Sequence, residues 1–305
     1  MLHFFHRTPR VRALAAVLGA LVLLAGPRPP TAAQSTPPLR LEADLWASWV
    51  SVPALPGQFV EAEVRRPNGS RLIGVGSGDA DGRAVLDLFN PEGGQGGPAA
   101  VQPGDTVRIA QSGRRPLEIV VPGLSARVDA AADRLSGTAP AGASVSILAQ
   151  LELTGPDGTV LWRDVPTQAV AGPDGAWSVD LRAEGVDLPA GRTRGRAWIE
   201  TVDHDRFFAR FNDVRLDATL GAYEVRGLAT PGHRVRGTIT HADGSTTALP
   251  ERTVIGDGAF SLGAAGFGRF GPPPPDARPL RIGDRIELTV TGTGSGEVAA
   301  LTLVL

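Results

Sequence analysis

The chain has no cysteine and no lysine, and among its 305 residues there is a single methionine and a single tyrosine. Without cysteine there is no disulfide, no thiolate nucleophile and no Cys-ligated metal. An exported chain of this kind must hold together by core burial alone. With no lysine, every positive side chain is an arginine, which reads as the coding bias of a GC-rich, bacterial genome. Histidine is scarce, and beyond residue 33 only His204, His233 and His241 remain. The G-x-S-x-G elbow of serine hydrolases is missing. Beyond the amino-terminal region no ten-residue stretch carries the 3.6-residue apolar period of a helix, and no second apolar run is long enough for a membrane span.

The first residues read as an export signal. His3, His6, Arg7, Arg10 and Arg12 precede an uncharged apolar run, residues 13–25, and helix breakers follow it. Thr31 and Ala33 suit positions −3 and −1 of a cleavage before Gln34. The alternative is an uncleaved anchor, although 13 residues fall short of the ~20 that cross a bilayer as a helix. No cysteine follows the run, so lipid modification there is not expected. Cleavage removes four arginines and leaves 26 basic against 32 acidic residues, a net charge near −6. That balance argues against nucleic acid and against anionic lipid as partners. The chain stops at "TLVL" with no sorting motif, so secretion or loose surface association is expected.

What is present is turn chemistry and alternation. Glycine (39) and proline (26) are plentiful, yet 42% of the residues are apolar, too many for a disordered chain. Three segments align without a gap: "LEADLWASWVSVPALPG" (41–57), "ARVDAAADRLSGTAPAG" (126–142) and "LDATLGAYEVRGLATPG" (216–232). Their final glycines, Gly57, Gly142 and Gly232, lie 85 and 90 residues apart. This is domain spacing rather than solenoid spacing. An Asn-Gly or Asp-Gly pair recurs at 68–69, 157–158 and 243–244, and a second Asp-Gly at 81–82, 174–175 and 257–258. Runs such as "ASVSILAQLEL" and "DRIELTV" alternate with period two, the mark of a strand with one buried face. About seven such strands per repeat outline a β-sandwich. The expected organisation is all-β: a signal peptide (1–33), a linker (34–37), and three tandem seven-stranded sandwiches at 38–121, 122–212 and 213–305. Their linkers look minimal, which predicts a rod of stacked sandwiches.

The order "LSGTAPAGASVSI", "PDGTV", "AGPDGAWSVDL", "LPAGRTRGRAWI" resembles exported bacterial tandem immunoglobulin-like modules. It is also similar to transthyretin-like modules of the carboxypeptidase-regulatory type. The second repeat carries the pattern on Gly137, Gly142, Val145, Gly158, Gly175, Trp177 and Val179, the third on Gly227, Gly232, Val235, Gly244, Gly258 and Phe260. The first departs from it: Val52 replaces the early glycine, and Ala84 or Val85 takes the aromatic place. The resemblance implies stalks, spacers, adhesion units or appendages of exported enzymes, and leaves the immunoglobulin-like and transthyretin-like topologies open.

Candidate chemistry is sparse. Asp79 and Asp81, with Asp87 beyond, come nearest to a calcium set but lack the third loop acid and closing glutamate of an EF-hand. As Asp-Gly pairs they read instead as hairpin turns. His204 sits between Asp203 and Asp205 with no evident nucleophile, and reads as a hairpin tip. "GFGRFG" (266–271) has the letters of a dinucleotide loop, but prolines 272–275 cannot continue as a helix. It is expected as a long loop whose Phe267 and Phe270 offer a contact patch. Trp46 and Trp49, three residues apart, face opposite sides of a strand, so one of them is a candidate glycan platform. Trp162, Trp177 and Trp198 lie in alternating strands, where core packing is expected.

The sequence thus points to an exported, non-enzymatic structural, spacer or adhesion protein. The alternative is a glycan- or protein-binding module using the exposed aromatics of the first repeat or the 263–275 loop. No cofactor, metal or catalytic residue is assigned. A surface glycan or protein is the expected partner, with no membrane span after signal cleavage.

Overall fold

The computed structural model describes residues 38–91, 99–263, 277–292 and 297–305. Apart from one 3-10 turn at Arg182–Glu184, the regular structure there is all β. The first run of strands is β1 (Glu42–Asp44), β2 (Trp49–Pro53), β3 (Phe59–Arg65), β4 (Arg71–Ser77), β5 (Arg83–Asp87), β6 (Thr106–Gln111) and β7 (Leu117–Val120). The second is β8 (Ser125–Asp129), β9 (Arg134–Thr138), β10 (Ser144–Thr154), β11 (Val160–Val170), β12 (Ala176–Asp180), β13 (Thr193–Glu200) and β14 (Arg206–Asn212). The third is β15 (Arg215–Ala218), β16 (Glu224–Leu228), β17 (Arg234–Thr240), β18 (Thr246–Thr253), β19 (Ala259–Gly263), β20 (Arg285–Thr291) and β21 (Glu297–Val304).

The pairing order repeats. β8-β9-β12 and β15-β16-β19 are three-stranded sheets, and β4-β3-β6-β7 and β18-β17-β20-β21 are four-stranded ones. None of the sheets closes. Alternation decides which side of each strand is buried: Val60, Ala62 and Val64 on β3, Val145, Ile147, Ala149 and Leu151 on β10, Ile286, Leu288 and Val290 on β20. The repeat motif has a packing reason. Trp177 lies directly across from Gly137, and Phe260 from Gly227. A Cβ on Gly137 would stand 2.6 Å from the Trp177 ring, and one on Gly227 2.4 Å from the Phe260 ring. The first run solves the same volume problem differently, pairing Val52 with Ala84. Ala84, not Val85, is therefore the inward residue.

One sheet departs from this order. β1-β2-β5 does not end at β1 but continues, through a parallel pairing of β1 with β14, into β13-β10-β11, giving a seven-stranded sheet. Glu42, Ala43 and Asp44 face Arg206, Phe207 and Phe208. The ends are fastened by Arg206 N–H to Leu41 O (2.8 Å), Leu45 N–H to Phe208 O (2.8 Å) and Leu41 N–H to the Asp205 carboxylate (2.7 Å). Leu41, Ala43, Leu45, Phe207 and Phe211 are buried in one apolar cluster that spans the first and second runs. The third run has a separate cluster around Val225, Leu262, Ile286 and Val290. Residues Pro38–Leu305 make one compact unit, and the third run also touches the first, Gly256 N–H donating to Trp46 O (2.9 Å). The third run thus contacts the first as well as the second.

Candidate functional site

Each recurring acidic motif closes a turn on itself. Asp79 Oδ1 accepts the amides of Asp81 and Arg83, both at 2.9 Å. Asp157, Asp174, Asp243 and Asp257 accept the amide two residues on, at 2.9–3.1 Å, as does Asn68 before Ser70. The following glycines, from Gly69 to Gly258, have φ between +79° and +94°, the left-handed region such turns need. Asp243 is held well below the usual carboxylate range, first by the Ser245 hydroxyl and amide and then by Arg278. Among the described residues no three His, Asp or Glu side chains converge as metal ligands.

His204 sits in the β13–β14 turn, exposed, with φ +66°. Its Nδ1 faces Glu200 at 2.7 Å. A small cavity of about 250 Å³ beside it is lined by Arg40, Ser51, Arg83 and Arg206. The Ser51 hydroxyl is engaged by Arg83 (2.6 and 2.9 Å) rather than by the imidazole. The neighbouring Asp205 is buried and serves the β1–β14 joint, and burial pushes its carboxyl up. His241 is buried against Asp284 (3.2 Å) and Thr247 (2.9 Å). His233, also buried, has no partner for Nδ1, and burial followed by the charge of Arg127 pushes it down to about 4.

The aromatic residues sort differently from the sequence expectation. Trp46 occupies a turn at φ +66° and packs, half-buried, against the large core, while Trp49 on β2 is also half-buried. Phe267 and Phe270, with all of 264–276, lie outside the described residues. Trp177 is core, as expected. Trp162 and Trp198 are not: Trp162 is 45% exposed near the β10–β11 tip, and Trp198 is half-buried on the outer face of β13. Alternation explains this, since Ala197 and Ile199 take the inward side of β13 and leave Arg194, Arg196 and Trp198 outward.

That outer face is the most chemically organised surface described. The Arg194 guanidinium stands 4.0 Å from the Trp162 ring centroid, and that of Arg196 5.7 Å from Trp198 and 5.6 Å from Phe208. Trp198 and Phe208 are themselves 6.3 Å apart. Such cation–π contacts hold a guanidinium in place without neutralising it. Arg210, opposite Arg196 on β14, is paired with Asp44 at 2.5 Å. Asp44 is buried, which pushes its carboxyl up against the opposing pull of Arg210. Neither Arg194 nor Arg196 forms a close ion pair among the described residues, although the Asp44 carboxylate also attracts Arg196. Sequence reading missed this face, although its signal, a tryptophan in phase with two arginines in "TRGRAWIE", was there.

No protein-family model matches this sequence, and no curated protein is similar to it. Among solved structures the chain is similar to a tetra-tandem repeat in the extending region of a large adhesion protein, with 18% identity over 88% of this chain and 74% of that one (TM-score 0.21). It is also similar to Escherichia coli alpha-2-macroglobulin, with 10% identity over 88% of this chain and 30% of that one (TM-score 0.24). A third is a Salmonella alpha-2-macroglobulin, with 13% identity over 87% of this chain and 22% of that one (TM-score 0.23). At these scores the likenesses carry no argument about function.

Proposed function

We propose that this chain is an exported, non-enzymatic protein of three tandem immunoglobulin-like or transthyretin-like sandwiches, at 38–121, 122–212 and 213–305, serving as a structural, spacer or adhesion unit at or outside the cell surface. The observation that carries the reading is the fate of the candidate chemistry. The repeated aspartates close their own turns, Asp205 fastens a strand joint, and Ser51 is engaged by an arginine. These groups hold a fold rather than assemble a reaction. The cationic opening, the apolar run 13–25 and Ala33 before Gln34 support export and cleavage. Export and role are tested together by expressing the full chain in a bacterium, sequencing the amino terminus of the extracytoplasmic product, and screening it on immobilised glycans and matrix proteins. A product beginning at Gln34 that binds a surface component supports the reading. A cytoplasmic, unprocessed chain, or reproducible turnover in a hydrolase panel, overturns it. The glycan-binding alternative is favoured by one observation, the arginine–aromatic face of β13 and β14.

A further inference from the structure

The outer face of the seven-stranded sheet carries positive charge that the fold compensates only in part, Asp44 pairing with Arg210 and attracting Arg196 from farther away. Arg194 and Arg196 sit two residues apart on β13, and Arg196 stands directly opposite Arg210 on β14. Like charges facing each other across strands are unfavourable. The fold relieves one of the three with Asp44 and stacks the other two on Trp162, Trp198 and Phe208. These arginines border a cavity of about 420 Å³ that Gln150, Asn212 and Asp257 also line, the Asp257 carboxylate being engaged by the Ala259 amide. The chain without its first 33 residues is acidic overall, so a local cationic face selects an anion rather than reflecting bulk charge.

Guanidinium groups take carboxylates with two parallel hydrogen bonds, and ring faces take the C–H surface of a sugar. The backbone argues against a peptide here. β10, β13 and β14 each have a hydrogen-bonded strand on both sides. They leave no ladder groups for an added chain over Arg194, Arg196 and Trp198, and the nearest free edge is β11, which carries Trp162. We propose that this face binds a carboxylate-bearing polysaccharide, with Arg194 and Arg196 holding carboxylates and Trp198 and Trp162 the sugar rings. This names a partner class for the adhesion part of the reading above and rests on it.

The test is titration of the processed full chain with polygalacturonate, alongside neutral dextran, dextran sulfate and polyglutamate. Polygalacturonate is expected to bind, at least tenfold more weakly to the Arg194→Gln, Arg196→Gln double variant and about fivefold more weakly to Trp198→Leu. Arg194 and Arg196 are exposed, so the double variant is expected to keep its melting temperature. A charge-matched control, Arg134→Gln with Arg252→Gln, alters exposed arginines away from this face and is expected to stay within twofold. The proposal is overturned if polygalacturonate does not bind, or binds the double variant and wild type alike. It also falls if dextran sulfate binds as tightly, which marks charge attraction alone, or if polyglutamate binds more tightly, which marks an acidic protein partner. Failure of all four polymers removes this ligand while leaving export and architecture standing, because cleavage at Gln34 is read separately.

Discussion

The chain is joined in two different ways. Between the first and second runs the joint is backbone: β1 and β14 pair, a buried aspartate fastens the end, and one apolar cluster fills both sides. Between the second and third runs the joint is side-chain hydrogen bonding at the end of β14. Asn212 Nδ2 donates to Ala229 O (3.1 Å) and Asp257 O (3.0 Å), and the Thr230 hydroxyl both accepts from Asn212 N–H (3.1 Å) and donates to its carbonyl (3.0 Å). The third run keeps its own core. Repeats of similar sequence are thus unequal in cooperativity. A shared core makes unfolding of the first two runs a single event, whereas the third can part at the cost of a few hydrogen bonds. Calorimetry is expected to resolve two transitions, the larger from residues 38–212.

Phe207→Ala is the strongest way to break the first joint. The ring is fully buried between runs. Its loss is expected to cost about 3–5 kcal/mol, lowering the larger transition by roughly 10 °C and leaving the smaller near its wild-type midpoint. A fall of both together would show that the third run is not independent. Gly258→Ala attacks the second joint. Gly258 has φ +94°, and a Cβ there would stand 1.9 Å from Asn212 Nδ2 and 2.4 Å from Ala229 O. Backbone strain plus lost bonds predict at least about 3 kcal/mol, confined to the smaller transition. Asn212→Ala is milder, about 2–3 kcal/mol, because it orphans two carbonyls without straining the turn. It is expected to widen the gap between transitions, and an unchanged gap would remove Asn212 from the joint.

How much of this could be read beforehand depended on range. Local rules reached the turns, because Asp-Gly fixes both a carboxylate and a left-handed residue within four positions. They also reached Gly137 against Trp177, since one repeat could be checked against another. The β1–β14 pairing was out of reach. Its partners lie 164 residues apart, and "LEADL" reads the same whether its strand ends a sheet or continues one. In the sequence Asp205 is only a neighbour of His204 at a hairpin tip, whereas in the fold it is the tie that fixes Leu41. The outer face of β13 was within reach of period two, but tryptophan was read as core by residue type rather than by phase. At "RGRAWIE" the alternation puts Ala197 and Ile199 inward and Trp198 outward.

Acid offers the finest distinction between the joints, because it pushes them in opposite directions. His233 borders a cavity of about 380 Å³ to which Trp46 and Pro103 of the first run, Leu124 and Arg210 of the second and Thr230 of the third all contribute. Its folded pKa, about 4, lies below the ordinary 6.5 through burial and then Arg127. The unfolded chain therefore binds the proton more readily. The stability tied to the neutral ring is complete above pH 6.5 and is lost as the pH falls from there toward 4. By pH 5 the loss is about 2 kcal/mol. Asp44 and Asp205 at the other joint run the opposite way. Burial raises their folded values, so the folded state takes up their protons first, and acid favours that joint over the unfolded chain. From pH 7 to pH 5 the smaller calorimetric transition is expected to fall toward lower temperature faster than the larger. His233→Leu, which keeps an apolar side chain in the same place without a titrating group, should remove most of that extra fall. If the two transitions move in parallel in wild type, or if the leucine variant retains the full acid sensitivity, His233 does not govern the third run's attachment.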